Sequence, residues 1–212
     1  MYCINSYIRS KYFLMYSPVI QNLINQFAKL PSVGPKTAQR LVFYLLSRPR
    51  SELLQFGDAI EHIQEKIKTC SVCYNFGESD PCSICADSRR NQGLICVVAK
   101  PQDIEALEKS RVYDGLYHLL GGNIDPLAGV LPADVRLNEL IGRLKSQEIQ
   151  EVILALSSDM EGETTTLYLT KLLKQFPNLK ISRLARGLPM GADVEYADEQ
   201  TLENALSNRQ DI

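Results

Sequence analysis

Apolar positions recur along this chain with two different periods, and the change between them divides it. From Ser17 the period is helical. Ser17 and Pro18 read as an N-cap and first helical position, and Val19, Leu23, Ile24 and Phe27 then share one face. Leu30-Pro31 closes that segment. After the loop Ser32-Val33-Gly34, Pro35 opens a second helix running to about Leu46. Ser51 is placed to cap a third, with Leu54, Ile60, Ile63 and Ile67 as its apolar positions. From residue 93 short β-branched runs alternate with longer amphipathic ones. LICVVA, GLYHLL, EVILAL and LKISRLA read as buried strands. PQDIEALEKS, Asp134 to Lys145 and GETTTLYLTKLLKQF read as the helices between them. That alternation predicts a parallel sheet in a three-layer α/β domain. The tail GADVEYADEQTLENALSN reads as a short strand and a last helix. The expected organisation is an extension over 1–14, a helical region over 15–68, a cysteine module over 69–87, an α/β domain over 93–187 and a C-terminal segment over 188–212.

Composition narrows the function classes. With 45% hydrophobic and 23% charged residues the 212-residue chain is not a disordered one. No apolar run reaches the length of a membrane-spanning helix, and there is no internal repeat or low-complexity tract. Tryptophan is absent and there are two histidines, which leaves little material for a histidine-rich metal site or a histidine-based triad. The net charge of -2 conceals an asymmetry. Residues 1–51 hold seven cations and no acid, whereas the rest of the chain is strongly acidic. A basic end on an acidic body points to a polyanion-binding N-terminus. The first 14 residues show no period, and no signal-peptide pattern. They are expected to form a flexible extension, with Met15 an alternative start of translation.

Four of the six cysteines form CSVC and CSIC, two CxxC pairs at Cys70, Cys73, Cys82 and Cys85. Each pair places two thiolates on one side of a tight turn, and two such knuckles facing each other make a tetrahedral sulfur cage suited to Zn²⁺. Gly77 and Pro81 turn the chain back between them. A redox dithiol, an iron–sulfur site and a pair of disulfides are the rival chemistries. Tandem redox CxxC motifs are not expected, and disulfides need an oxidising compartment. Four protein thiolates leave no position for a catalytic water, so the zinc expected here, one per chain, is structural. Cys96 lies in the apolar run LICVV and reads as a buried small residue.

Two further motifs carry chemistry. In LPSVGPKTAQRL a glycine sits at the turn between two helices, so backbone amides can approach a phosphate and the second helix points its positive end there. Lys36 and Arg40, four apart, share a face and can both reach a phosphate backbone. This pattern is a helix-hairpin-helix, which holds nucleic acid without reading sequence. A plain αα-corner is the simpler alternative. A nucleotide-binding P-loop is excluded because Pro35 separates the glycine from the lysine. In LALSSDMEGE, Asp159, Glu161 and Glu163 cluster at the carboxyl edge of the sheet, where open α/β sheets place ligands. They could hold Mg²⁺, but acids also favour the first turn of a helix, and that reading weighs more. His62 is expected at the surface, and His118 in its apolar strand is expected to meet a neighbour's backbone.

In this order, hairpin, four-cysteine module and small α/β domain resemble the bacterial RecR family of recombination mediators over about residues 15–208. LPSVGPKTAQRL is similar to that family's hairpin, CSVCYNFGESDPCSIC to its zinc finger, and LICVVAKPQDIEALE to the first strand and helix of its Toprim domain. YHLLGGNIDPLAGVLP and RLARGLPMGADVEYADEQTL match it as well. The resemblance implies a cytoplasmic, nucleoid-associated DNA-repair protein with no catalysis of its own. It implies work with RecO, and in many bacteria RecF, to load the RecA recombinase at single-strand gaps. It also implies a homo-oligomer, a tetrameric ring able to encircle DNA, and no membrane. Toprim enzymes use a Glu after the first strand, and the family usually keeps one there. Here that place is Ala99, followed by Lys100. The general acid/base of a Toprim nuclease is therefore missing, which favours binding over catalysis and argues against Mg²⁺ at position 99. A metal-dependent Toprim nuclease or primase-like enzyme is the alternative, and a zinc-stabilised interaction module that never touches DNA is a third. The acids at Asp159, Glu161 and Glu163 are then expected to form an exposed docking surface for a basic partner such as RecO.

Overall fold

A computed structural model of the chain describes residues 16–209. The expected extension over 1–14 lies outside the described residues. The chain divides into two compact units, one ending at Ile63 and the other beginning at Gln64.

In the first unit α1 (Pro18–Phe27), α2 (Pro35–Leu46) and α3 (Arg50–Glu61) follow one another. The Ser17 hydroxyl accepts from the Ile20 N–H, so the predicted cap is present. Ile24, Ala38 and Val42 are buried between α1 and α2, with Ile20, Phe27 and Val33 packed around them. The core face of α1 is therefore Ile20–Ile24–Phe27, not the predicted face containing Val19, which is 80% exposed. The helix carries more apolar residues than one face holds, and α2, against which it packs, covers only one. Ser51 does not cap α3; Pro49 occupies that position and Ser51 lies in the first turn. The helix ends at Glu61, short of Ile63 and Ile67, and all four predicted apolar positions, Leu54, Ile60, Ile63 and Ile67, are exposed.

The second unit opens with α4 (Ile63–Lys66), which spans the boundary, then β1 (Lys68–Thr69), β2 (Phe76–Gly77) and α5 (Ser83–Ala86). The α/β elements are β3 (Asn91–Val98), α6 (Pro101–Ser110), β4 (Gly115–Leu119), α7 (Leu137–Ser146), β5 (Glu151–Leu154), α8 (Met160–Leu173) and β6 (Lys180–Arg183), and α9 (Glu199–Ser207) is the last element among the described residues. β4, β3, β5 and β6 lie side by side in that order, every pair parallel, with Cys96 opposite both Tyr117 and Ile153. Alternate residues of β3 feed two cores. Ile95 and Val97 pack with Leu140, Leu144, Leu169 and Leu173 beneath α7 and α8, and Cys96 and Val98 pack with Ile104 and Tyr117 beneath α6. Burial on both faces explains why LICVV reads as an unbroken apolar run. β4 and β5 flank β3 on opposite sides, so the chain reverses its direction of winding at the carboxyl end of β3. An open sheet leaves a crevice at such a point.

The strand predicted in the tail is instead a 3₁₀ turn over Val194–Tyr196. A strand needs an edge to pair with, and a three-residue alternation supplies too little to compete with the turn.

Candidate zinc centre and nucleic-acid interface

β1 and β2 form a two-stranded ribbon whose turn carries the first knuckle, with Lys68 opposite Gly77 and Thr69 opposite Phe76. Tyr74 takes a left-handed φ of 65° to turn the chain after Cys73, and the Cys70 N–H closes the knuckle on the Asn75 carbonyl at 2.8 Å. The second knuckle runs into α5, with Cys82 at its N-cap. A Cβ at Gly77 would stand 3.1 Å from that of Cys82, so glycine lets the two knuckles approach without a tight contact. Asp80 accepts from the Ser71 N–H at 2.7 Å and hydroxyl at 2.8 Å, tying one knuckle to the other.

The sulfurs of Cys70, Cys73, Cys82 and Cys85 all lie within 4.8 Å of one another. Cys73 and Cys82 Sγ are 3.6 Å apart, too far for a disulfide. A tetrahedron with Zn–S bonds of about 2.3 Å has edges of about 3.8 Å, so the cage fits Zn²⁺. Amide groups support it: the Val72 and Cys82 N–H groups each point at Cys70 Sγ at 3.4 Å. A hydrogen bond from Cys85 holds the Cys73 thiol down to about 5. Burial pushes Cys82 up to about 11, and donation to Cys73 pushes Cys85 up as well. Ionised thiols this close repel one another, and a divalent cation at their centre offsets that repulsion.

The zinc module covers the free edge of the sheet. The Leu120 N–H donates inward to Val98, so Gly115, Tyr117 and Leu119 present their backbone groups outward from β4. Arg90 donates to the Gly115 carbonyl at 3.0 Å, Arg143 to the Tyr117 carbonyl at 2.7 Å, and the Leu119 N–H to the Cys73 carbonyl at 2.9 Å. An otherwise bare edge is thereby satisfied. Arg90 also pairs with Glu108, which accepts from the Tyr117 hydroxyl at 2.7 Å. His118 is fully buried and meets the Arg136 carbonyl at 2.8 Å, as expected of it. Burial pushes it down to about 4, so it is neutral, and it packs edge-on to Tyr74 of the first knuckle. His62 ends α3, half-exposed, against the Asp58 carbonyl. Cys96 is buried and free. Sequence reasoning missed Arg90, Arg136 and Arg143. Arg143 left a signal: it falls in the apolar stripe of Leu137, Leu140 and Leu144.

In the first unit Gly34 is the N-cap of α2 with an ordinary φ of -76°; the left-handed residue of the turn is Ser32. A Cβ at Gly34 would meet no atom of the described residues within 4 Å, so the missing side chain leaves room on the outside of the turn. Lys36 and Arg40 are exposed one turn apart on α2, and neither pairs with an acid among the described residues. The first turn of α2 holds no acid. A lysine at a helix N-terminus with no carboxylate beside it concentrates positive potential there.

At the carboxyl edge of the sheet lies an open cavity of about 420 Å³ at the winding reversal, lined by Lys100, Asn123, Asp125, Asp134, Asp159 and Glu161 among others. The edge is less free than the sequence implied. Asp159 caps α8, accepting from the Gly162 N–H at 2.7 Å. Glu163 is half-buried, bonded to Arg186 and 3.7 Å from Arg183, so it anchors the chain after β6 rather than standing open to a partner. Asp125 and Asp134 hold loop backbone amides. Glu161 keeps a carboxylate without a partner among the described residues. Ala99 is buried and offers no acid.

Comparison with known proteins agrees with this arrangement segment by segment. The family model of the RecR helix-hairpin-helix matches residues 20–64, that of the RecR four-cysteine zinc finger domain 67–87, that of the Toprim domain 93–185 and that of the RecR C-terminal region 187–210. The recombination protein RecR of Bifidobacterium longum subsp. infantis is 50% identical over 198 residues, covering 93% of this chain and 98% of the relative. That of Bifidobacterium adolescentis is 50% identical over 199 residues, 94% and 99% of the two chains. That of Pelotomaculum thermopropionicum is 49% identical over 197 residues, 93% and 98%. With a cysteine cage that fits zinc, a helical hairpin and a parallel α/β domain where those family models match, and near-full-length relatives at about half identity, the chain belongs to the RecR family of recombination proteins.

Proposed function

We propose that the protein binds DNA without reading its sequence and acts as a non-catalytic mediator, working with RecO, and where present RecF, to load RecA at single-strand gaps. The observation that carries this is the N-terminus of α2. Lys36 and Arg40 stand exposed on one face and pair with no acid among the described residues, no acid sits in the first turn, and Gly34 leaves the turn open from outside. Such a site suits a phosphate, and phosphates carry no sequence information. One chain supplies few cations, so firm binding calls for several copies. Leu23, Leu30, Leu46, Phe56 and Ile60 of the same unit expose an apolar groove of about 480 Å³, which supports self-association toward a tetrameric ring.

The α/β domain binds rather than cuts. Ala99 stands where a Toprim enzyme would keep its acid, and three of the four acids lining the cavity are occupied with backbone amides. The remaining acidic edge, chiefly Glu161 with Asp159, is then a docking surface for basic RecO. The protein would act in the cytoplasm, at the nucleoid.

Titration of end-labelled DNAs of unrelated sequence, with Mg²⁺ or Mn²⁺ present, tests the reading. Equal affinity for all of them with every strand intact is the expected result. Strand cleavage, or binding to one sequence alone, would replace this reading with the enzyme or with a sequence-specific protein.

A further inference from the structure

Arg143 is a buried cation with no carboxylate. The residue is 6% exposed, in a helix face otherwise made of leucines. Its Nη1 donates to the Tyr117 carbonyl at 2.7 Å and its Nε to Gln147 Oε1 at 3.0 Å, both neutral acceptors, while its Nη2 has no partner. Among the described residues no aspartate or glutamate forms an ion pair with it. A charge removed from water in this way is strongly disfavoured unless an opposite charge lies near. A leucine or methionine would fill the same stripe at no such cost, so the opposing charge has to be found elsewhere.

The sheet edge supplies it. The Tyr117 carbonyl that receives Arg143 faces outward from β4, and two residues on, the Leu119 N–H on that same edge donates to the carbonyl of Cys73. The guanidinium thus lies where the zinc module covers the strand. Burial weakens the hold of Arg143 on its proton, so a neighbouring negative charge is what keeps it ionised there. Zn²⁺ on four thiolates leaves the cage with two net negative charges. His118 is neutral and cannot balance them, and Arg136 is spread over the Tyr74 ring at 5.3 Å.

We infer that Arg143 is the counter-charge of the zinc tetrathiolate: a positioning residue of the α/β domain that stabilises the dianionic cage and locks it against the edge of β4. Zinc binding in one module is then coupled electrostatically to a helix of the other.

Two substitutions in the full chain separate charge from hydrogen bonding. Arg143→Lys and Arg143→Gln can both donate to the Tyr117 carbonyl, but only the first keeps the charge. Zinc affinity is read by competition with chelators of graded strength. Arg143→Gln is expected to bind zinc about 10-fold or more weakly, the usual effect of losing a supporting group around a metal site, and Arg143→Lys to stay near wild type. With Co²⁺ in the cage, the thiolate-to-metal charge-transfer band should move to lower energy in Arg143→Gln and not in Arg143→Lys, because the nearby cation stabilises the sulfur lone pairs. An Arg143→Gln protein that folds at no zinc concentration while Arg143→Lys folds also supports the inference. Equal zinc affinity in the two variants, failure of both to fold, or an unshifted cobalt band in Arg143→Gln would overturn it.

Discussion

Removing the two cations at the start of α2 should change how DNA binding responds to salt, by an amount the structure sets. Lys36 and Arg40 are exposed, unpaired with acids among the described residues and one helical turn apart, so replacing both by alanine removes charge without disturbing the Ile24–Ala38–Val42 core. Alanine is also the best helix former, so α2 is not weakened. Each phosphate neutralised on duplex DNA adds about 0.9 to the slope of log affinity against log salt. A hairpin without both cations neutralises two phosphates fewer, which lowers the magnitude of that slope by about 1.8 for each hairpin engaged. Between about 50 and about 200 mM salt, wild-type affinity should therefore fall by about 12-fold more than that of the double variant. Anisotropy titrations of a fluorescent duplex across this range measure both lines. The loss should be the same on duplexes of unrelated sequence, since phosphates are alike in all of them. Parallel lines for the two proteins would show that α2 does not touch the backbone, and the reasoning from its helix terminus would fail.

Other consequences are smaller in scope. Cys82→Ser should release the zinc and unfold the module, because cages of this kind rarely hold together without metal; metal analysis and loss of Co²⁺ thiolate bands report it. Leu140→Ala, at a fully buried position between β3 and α7, should cost about 2–5 kcal/mol in denaturant unfolding. Glu108→Gln should cost about 1–2 kcal/mol through the weakened Arg90 and Tyr117 bonds, read the same way. Burial raises the Glu108 carboxyl, but the hydrogen bonds from Arg90 and Tyr117 outweigh it and hold the group below its ordinary value. Its contribution is therefore complete above the unfolded value of about 4.3 and is lost as pH falls through the lower folded one, so the variant's disadvantage should vanish in acid.

What the sequence disclosed was local. The cage is legible because all four ligands come from two knuckles within sixteen residues of chain, Cys70 to Cys85. The parallel sheet is legible because β3, buried on both faces, cannot alternate. What escaped depends on partners distant in the chain. The core face of α1 was set by α2, leaving Val19 outside. Glu163 reads as a free acid until Arg183 and Arg186 fold back on it. Arg90 is an ordinary surface residue type until the edge of β4, with its outward carbonyls, comes to lie beside it, and Arg143 shows in the sequence only as a cation within an apolar stripe. The VEY run gives no sign that no strand edge awaits it.

The central claim, mediation without catalysis, is tested most directly by RecA assembly on gapped DNA coated with single-stranded-DNA-binding protein, followed through the DNA-dependent ATP hydrolysis of RecA in the presence of RecO. Adding this protein should shorten the lag before hydrolysis, the Lys36→Ala, Arg40→Ala double variant should fail to do so, and the DNA should be recovered uncut. A lag unchanged by the wild-type protein, or DNA recovered in pieces, would contradict the account.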